Sequence, residues 1–479
     1  MRCPLAASVT DKNEGWLIAQ NGCWSFATNR RTPTMSDFQL GLSAIPLPVL
    51  HQVRQIFPAP QVTDVERAVH AAVADPNIAV LLHPGLRVAI AIGSRGIAGL
   101  ATIVTTLIAA LQQRGCTVVI IPAMGSHGGG TPEGQLAVLG NYGVTEAAVG
   151  APIISSMATT VVGALRWDAA IGDYVSDSAG ELAVPVASDA LACDLIIPVA
   201  RIKPHTGFRG LVESGVCKML CVGLGKHAGC SRYHREGYER FAKLIPAAAA
   251  VVLATKKIGF ALAVVENAVE QTARIESIPS MRIFAREPEL LHEARALMPR
   301  LLLPHIDVLV VERIGKEISG TGMDPNVTGR SEGVHFADFT GPHIRRIVVL
   351  GLSESTNGNA AGIGLADIIT ERAFAAIDRR TTYINVLTSG SLMAGKIPVA
   401  LPDDDAALRA ALSCMPGLRP EDAIVVRIRD TLHLRDIAVS ANALPSLHGR
   451  TDLIIGEIFA GFGNFLHQES VTDPAQLRA

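Results

Sequence analysis

The stretch Leu86-Arg-Val-Ala-Ile-Ala-Ile-Gly-Ser-Arg-Gly96 decides the fold of this chain. Its first part, Leu86–Ile92, is a mainly apolar run that predicts a buried strand, and Gly93-Ser94-Arg95-Gly96 predicts the turn that ends this strand. A helix is predicted over Ile97–Gln113 and a second strand over Thr117–Pro122. Two strands joined by a crossover helix are typical of a parallel sheet.

The alternation of strands and helices continues along the chain. Thr131 followed by Pro132 indicates another helix, because threonine caps helix N-termini and proline fits the first turn. Further strands are predicted over Asp194–Arg201 and Phe260–Val265. The remaining predicted elements are helices over Leu50–Ile56, Asp64–Ala74, Pro288–Leu303 and Leu365–Ile377, and strands over Asp307–Val311, Arg346–Leu352 and Tyr383–Leu387.

The length of 479 residues exceeds the size at which one hydrophobic core keeps growing. We therefore predict an α/β protein with two α/β domains, mostly parallel sheets and an active-site cleft between the domains. The N-terminal domain is expected over residues 35–280 and the C-terminal domain over residues 281–479. Residues 1–34 show no hydrophobic period and are expected to be a disordered tail or to precede the true start.

The composition excludes several classes of partner. Lys and Arg number 42 against 44 Asp and Glu, so nothing indicates a basic surface for nucleic acid or for an anionic membrane. No apolar run approaches the roughly 20 residues of a membrane span, and the N-terminus does not resemble a secretory signal. The eight cysteines are scattered, so we expect reduced thiols and a cytoplasmic protein.

Polar residues follow the predicted strands at the positions where ligands bind in open α/β sheets, outside the strands' carboxyl ends. Arg95 and the neighbouring glycines could bind an anion such as phosphate or carboxylate, or they could form an ordinary turn with a surface arginine. The turn lacks the G-x-G-x-x-G pattern of a dinucleotide-binding domain. Lys316 follows the first strand of the second series and is expected at the same cleft.

Two histidines lie in glycine-containing loops after strands. His127 is part of Gly125-Ser-His-Gly-Gly-Gly130, and His205 is part of Lys203-Pro-His-Thr-Gly-Phe208. An imidazole titrates near neutral pH and can accept or donate a hydroxyl proton. Each histidine alone is also compatible with a solvated loop, but a pair suits inversion of a carbon that carries a hydroxyl group.

A third segment, from Cys217 to His234, combines a lysine, cysteines and histidines with several glycines. Lys218 lies among apolar residues and glycines and is a candidate for covalent attachment of a ligand. Cys217, Cys221 and Cys230 suggest a metal site, but their spacing matches no standard zinc or iron–sulfur pattern. Buried structural thiols are the alternative.

Taken in order, these segments resemble the lactate racemase family, the nickel-pincer-dependent racemases and epimerases. The resemblance implies that His127 and His205 are acid/base residues and that Ser94 and Arg95 occupy a cofactor-binding strand-end turn. It implies that Lys218 anchors a nickel-pincer nucleotide through a thioamide. His234, sixteen residues further along, is similar to the family's nickel-ligand histidine, with His227 as second choice.

The resemblance implies inversion at C2 of a 2-hydroxy acid by hydride transfer, in a protein that depends on cofactor-maturation enzymes. Arg95 and Lys316 would bind phosphate or carboxylate. Ile92 and Gly93 replace an acidic residue of the family, and the segment containing Arg209 and Glu213 is longer, which favours a larger hydroxy acid or sugar acid over lactate. The alternatives are a nucleotide-dependent dehydrogenase or lyase, and a non-catalytic cysteine-ligated metal or iron–sulfur protein.

Overall fold

The computed structural model describes residues 41–94, 96–331 and 341–459. The strands, numbered in chain order, are β1 (Leu50–Gln55), β2 (Arg87–Ile92), β3 (Thr117–Pro122), β4 (Thr159–Asp168), β5 (Asp173–Ser176), β6 (Leu182–Ala187), β7 (Leu195–Arg201), β8 (Phe260–Glu266), β9 (Thr272–Pro279), β10 (His305–Val311), β11 (His343–Val349), β12 (Ile368–Thr370), β13 (Val399–Leu401), β14 (Val425–Ile428), β15 (Asp436–Ser440) and β16 (Leu453–Phe459).

The α-helices are α1 (Val65–Ala74), α2 (Pro76–Ala79), α3 (Leu100–Gln113), α4 (Pro132–Asn141), α5 (Glu146–Val149), α6 (Ser188–Leu191), α7 (Val216–Lys218), α8 (Lys226–His234), α9 (Tyr238–Ala254), α10 (Ile283–Leu297), α11 (Pro325–Thr328), α12 (Glu371–Ala375), α13 (Arg379–Ser389) and α14 (Asp404–Ser413). A π-helical turn, Met219–Gly223, directly follows α7. Within the described ranges no helix combines the length and the apolar composition needed to span a bilayer.

A five-stranded sheet with the order β3-β2-β7-β8-β9 organises the first part of the chain. The pairs β2–β3, β2–β7 and β7–β8 are parallel, and β8–β9 is antiparallel. Alternate side chains of β2 point to opposite faces: Ala89 and Ala91 belong to one buried cluster, and Val88 and Ile90 belong to another. Both faces are therefore covered, which explains why β2 is apolar without alternation.

An eight-stranded sheet with the order β13-β12-β11-β10-β14-β15-β1-β16 organises the second part. The four pairs from β13 to β14 are parallel, and the three pairs from β14 to β16 are antiparallel. A third, antiparallel sheet has the order β5-β4-β6. The predicted fold class, α/β with mostly parallel sheets, is confirmed.

Several predicted elements agree with the structure, and three do not. Thr131 accepts a hydrogen bond from the backbone of Gly134 and caps α4 as expected. The segment 50–55, predicted as a helix, is strand β1, because it pairs with both β15 and β16. The segment 383–387, predicted as a strand, lies in α13, which Asp378 caps at its N-terminus and Gly390 ends. Most of the helix predicted over 365–377 is replaced by β12 and the short α12.

The proposed domain limits at residues 35, 280 and 281 stay predictions. Residues 50–55 fall within the range predicted for the N-terminal domain, but they belong to the eight-stranded sheet, whose other strands come from the second part of the chain. Residues 1–34 lie outside the described residues, and so does Arg95.

Candidate active site

A cleft of about 540 Å³ opens at the carboxyl ends of the parallel strands. Around the five-stranded sheet it is lined by residues that follow β2, β3 and β7, and around the eight-stranded sheet by residues that follow β10. Ligands of open α/β sheets bind at this position. The predicted site residues that line the cleft are Ser94, His127, His205, Lys218, His227, His234 and Lys316.

The His127 loop follows β3 and is held by its own backbone. The amide of His127 donates to the carbonyl of Met124 at 3.1 Å, and three successive glycines, Gly128 to Gly130, have positive φ. A β-carbon on Gly128 would lie 2.4 Å from the carbonyl carbon of Gly134, so the loop packs directly on the start of α4. Glycine is required here because a side chain fits neither the conformation nor the space.

His205 follows β7 and contacts Lys218. The Nδ1 atom of His205 accepts a hydrogen bond from the Gly207 amide at 2.9 Å, so a neutral ring, assigned from this pattern, carries its proton on Nε2. The Nε2 atom lies 2.5 Å from Nζ of Lys218. An Nε2–H donor needs a lone pair on that nitrogen, and only an uncharged amine has one. The pair therefore favours a neutral, nucleophilic Lys218.

A buried carboxylate supports the segment around His205. Glu213 is 0% exposed, accepts a hydrogen bond from the His205 amide at 2.6 Å, and forms ion pairs with Arg209 and Arg295. The amide group of Asn326 contacts both Arg209 and the His205 carbonyl. Arg209 and Glu213 do not line the cleft. They hold the backbone of this segment, so their presence gives no reason to expect a larger substrate.

Lys218 ends α7, and the backbone around it is closely packed. A β-carbon on Gly223, in the π-helical turn, would lie 2.6 Å from the carbonyl oxygen of Ala123. Glu287 of α10 accepts a hydrogen bond from the Cys217 amide at 2.9 Å and so supports the turn that carries Lys218. Burial raises the pKa of the Glu287 carboxyl to about 7, although hydrogen bonds from Cys217 and Val216 lower it.

His234 is the last residue of α8. One of its ring nitrogens forms a hydrogen bond, and the other can bind a ligand. Its Nδ1 lies 2.7 Å from the carbonyl oxygen of Cys230. A carbonyl only accepts, so Nδ1 carries the proton and Nε2 keeps its lone pair. Histidines that ligate metals commonly use the second nitrogen in this way. His227, by contrast, is exposed, and its Nε2 lies 3.2 Å from the Ser231 hydroxyl.

The three cysteines of this segment do not form one site. Cys217 and Cys221 are buried in the core and do not line the cleft, whereas Cys230 does. Among the described residues there is no group of three or more His, Cys, Asp or Glu side chains placed to hold a metal ion. Burial raises the pKa of the Cys230 thiol, but hydrogen bonds with His234 and Ser126 lower it further, to about 7.

Aromatic and polar contacts connect the site residues to one another. The ring of Tyr238 lies 5.9 Å from that of His205 and 5.6 Å from that of His234, measured between centroids. The Ser126 hydroxyl, next to His127, lies 3.3 Å from the Cys230 thiol. Side-chain contacts therefore connect His205, Lys218 and His234, and His127 lines the same cleft next to Ser126.

The remaining candidates lie at the edges of this group. The backbone carbonyl of Ser94 accepts a hydrogen bond from the Tyr142 hydroxyl at 2.8 Å. Lys316 donates to the Gly320 carbonyl at 2.6 Å and to the Asn385 side chain at 2.8 Å. These contacts place the Lys316 ammonium group at the wall of the cleft that α13 provides.

The charge of the cleft favours an anionic ligand. Lys316 and Arg201 line it as charged groups, and in the part of the chain that the structure describes no carboxylate side chain does. Arg201 forms an ion pair with Glu266 just outside the cleft. Cations without lining carboxylates attract phosphate or carboxylate groups.

Several cleft residues were not identified from the sequence. Tyr238 lies four positions after His234, but Gly237 separates the two helices, so helical spacing does not identify Tyr238. Asn385 was missed because its segment was predicted as a strand. Arg201 was assigned only to a strand, and no local pattern marks it as a cleft residue.

Comparison with protein-family models gives no match, and comparison with curated proteins gives none. Among solved structures, the lactate racemase apoprotein from Thermoanaerobacterium thermosaccharolyticum is similar, with 13% identity, a TM-score of 0.46, and coverage of 80% of this chain and 94% of that chain. A protein from Thermotoga maritima has 15% identity, a TM-score of 0.38, and coverage of 60% and 69%. These are distant likenesses, from which no activity, cofactor or site residue of this chain follows.

Proposed function

We propose that this chain is an isomerase, a racemase or epimerase that inverts C2 of a 2-hydroxy acid or sugar acid. Inversion would proceed by hydride transfer to a lysine-tethered nickel-pincer nucleotide, with His127 and His205 as acid and base. The observation that carries the proposal is the presence of His127, His205, Lys218 and His234 at one anion-attracting cleft.

The residues present fit the cofactor, pyridinium-3,5-bisthiocarboxylic acid mononucleotide with nickel. Lys218 would hold it covalently, because the contact with His205 favours a neutral amine. His234 would ligate the nickel through Nε2, which the hydrogen bond at Nδ1 leaves available. The turn at Ser94 and Arg95 would bind the phosphate. When bound, the cofactor supplies a reversible hydride acceptor.

The two histidines then have complementary roles. His127 would accept the proton of the substrate hydroxyl group in the oxidising half of the reaction. His205 would give a proton back to the oxygen in the reducing half of the reaction. Its neutral ring carries one proton, on Nε2, so His205 would first take up a second proton from solvent and then return to the neutral form. Protons balance when His127 releases the accepted proton to solvent, so that both rings return to their starting forms and substrate and product have the same composition. In the reverse direction the histidines exchange roles.

The wall of the cleft on the side of the eight-stranded sheet favours a polar substrate. Lys316 supplies a positive charge for the substrate carboxylate. The wall also carries several hydroxyl and amide groups, those of Thr321, Asn359, Thr381, Asn385, Thr388, Ser389 and Ser391. Such groups can hydrogen-bond to additional substrate hydroxyls, which favours a sugar acid over lactate.

The alternatives have less support. A cysteine-ligated metal or iron–sulfur protein would need Cys217, Cys221 and Cys230 together, but only Cys230 lines the cleft. A dehydrogenase or lyase with a free nucleotide would make no use of the contact between Lys218 and His205. Cofactor-maturation enzymes as partners, and a cytoplasmic location, remain part of the proposal.

The test is intact-mass and nickel analysis of protein co-expressed with cofactor-making enzymes. We expect a covalent adduct and one nickel per chain in the wild type. The Lys218→Ala variant should lack the adduct, and Lys243→Ala, which changes an exposed lysine paired with Asp173, should retain it. Chiral chromatography of 2-hydroxy acids and aldonic acids then identifies the substrate. An unmodified Lys218 in protein matured this way would overturn the proposal.

A further inference from the structure

A lysine lies buried behind the cleft, held by a backbone carbonyl and a side-chain amide oxygen. Lys226 is 1% exposed, and its Nζ donates to the Pro122 carbonyl at 2.5 Å and to the Gln135 side-chain oxygen at 3.2 Å. No carboxylate of the described residues forms an ion pair with it. Burial lowers the pKa of Lys226 to about 8, partly offset by the charge of Asp189. Burying an ammonium group is costly, so its contacts must compensate.

Gln135 extends the contact to the His127 loop. It is 0% exposed, and its Nε2 donates to the carbonyl oxygens of Gly125 at 3.1 Å and His127 at 3.4 Å. The ammonium group of Lys226 is therefore joined to the backbone of His127 through a single amide side chain. The Gln135 amide uses its oxygen and its nitrogen in these hydrogen bonds, and buried polar groups bonded in this way give a segment one defined position.

The other end of this connection is α8. Lys226 is the first residue of α8 and has a φ of +54°, a conformation that is unfavourable for a residue with a β-carbon. The same helix carries Cys230 and ends at His234. The side chain of Lys226 thus joins the helix of the proposed metal ligand to the loop of the proposed base.

We propose that Lys226 and Gln135 form a buried strut that sets the position of His127 relative to α8. Both are positioning residues, since neither lines the cleft. The catalytic consequence rests on the proposed function, whereas the structural consequence does not. An uncharged apolar residue could not replace Lys226, because two buried acceptors, the Pro122 carbonyl and Gln135, would lose their donor.

Gln135→Glu disrupts the strut at the His127 loop and keeps its contact with Lys226. The carboxylate keeps an oxygen for Lys226, but it replaces the amide donor and repels the carbonyls of Gly125 and His127. Lys226→Met removes the donor at the other end. Lys257→Met is the matched control, because Lys257 also donates to a backbone carbonyl, that of Cys193 at 2.8 Å, away from the cleft.

Hydrogen–deuterium exchange on the full-length chain tests the strut without any activity. We expect amide exchange in residues 124–131 to rise roughly tenfold in Gln135→Glu and Lys226→Met, since each loses about two hydrogen bonds to or beneath this loop. Lys257→Met should leave these residues unchanged. Unchanged exchange at the loop in Gln135→Glu, or an equal rise in every peptide, would overturn the proposal.

Kinetics of the matured enzyme add the readout that a purely structural role would not change. Misplacing a reacting group by about 1 Å can cost up to roughly 100-fold in rate. We expect Gln135→Glu to lower kcat at least tenfold with KM changed less than twofold. If kcat is unchanged although amide exchange of the loop increases, the strut has no catalytic role. If the wild type epimerises no acid, the proposed function is refuted. The exchange result would still show whether Lys226 and Gln135 position the His127 loop.

Discussion

Glu287 provides a quantitative test of the packing behind the cleft. Its carboxyl is 0% exposed, and burial raises its pKa from 4.5 to about 7. The folded state therefore holds the proton more tightly than the unfolded state. The stabilisation from this group is fully present below about pH 4.5 and is lost as the pH rises through about 7.

The size of this effect follows from the shift. One pKa unit corresponds to about 1.4 kcal/mol, so the rise to about 7 corresponds to a loss of about 3 kcal/mol of unfolding free energy. Glu287→Gln removes the titrating group and keeps an oxygen for the Cys217 amide, which Glu287 now binds at 2.9 Å. We expect the variant to gain about 3 kcal/mol relative to the wild type between pH 4.5 and pH 8.

The assay is urea unfolding at several pH values, followed by circular dichroism. Glu289→Gln is the control, because Glu289 lies on the same helix but is largely exposed beside Arg286. Its stability difference from the wild type should change little with pH. An equal stability difference between Glu287→Gln and the wild type at pH 5 and pH 8 would show that burial does not raise the pKa of Glu287.

Three further outcomes are expected. His127→Ala should lower kcat for epimerisation by roughly 100-fold to 10,000-fold, measured by chiral chromatography, and full activity in this variant would exclude His127 as the base. His234→Ala should abolish bound nickel in metal analysis of matured protein, while Cys217→Ser should retain it; the opposite pattern would favour the cysteine site. Gly128→Ala should destabilise the protein by about 2 kcal/mol in thermal unfolding, because its β-carbon would lie 2.4 Å from the Gly134 backbone, and an unchanged melting temperature would contradict that packing.

Much of the candidate site was predictable because its residues stand in local patterns. A strand that ends in a glycine-rich turn places the next polar residue at the carboxyl edge of a parallel sheet, and this rule places His127 and His205 at one cleft. The end of the predicted helix at Gln113 and the capping of α4 by Thr131 also agree with the structure. Local signals were sufficient there because neighbouring residues alone decide a turn or a helix cap.

Other features depend on residues that are distant in the sequence. Strand β1 exists because Leu50–Gln55 pairs with β15 and β16, hundreds of residues later. Tyr383 and Ile384 favour strands, which is why a strand was predicted for this segment. They lie in helix α13, whose ends are set by Asp378 and Gly390.

By itself the sequence determined the α/β class, the order of the strand-end loops and the chemical types that they carry, since hydrophobic periodicity and turn residues act over a few positions. Only the tertiary structure decided the tautomer at His205, its 2.5 Å contact with Lys218, and the strut of Lys226 and Gln135 behind His127. The reason is physical: hydrogen-bond partners and burial arise from packing between segments, and no spacing along the chain contains that information.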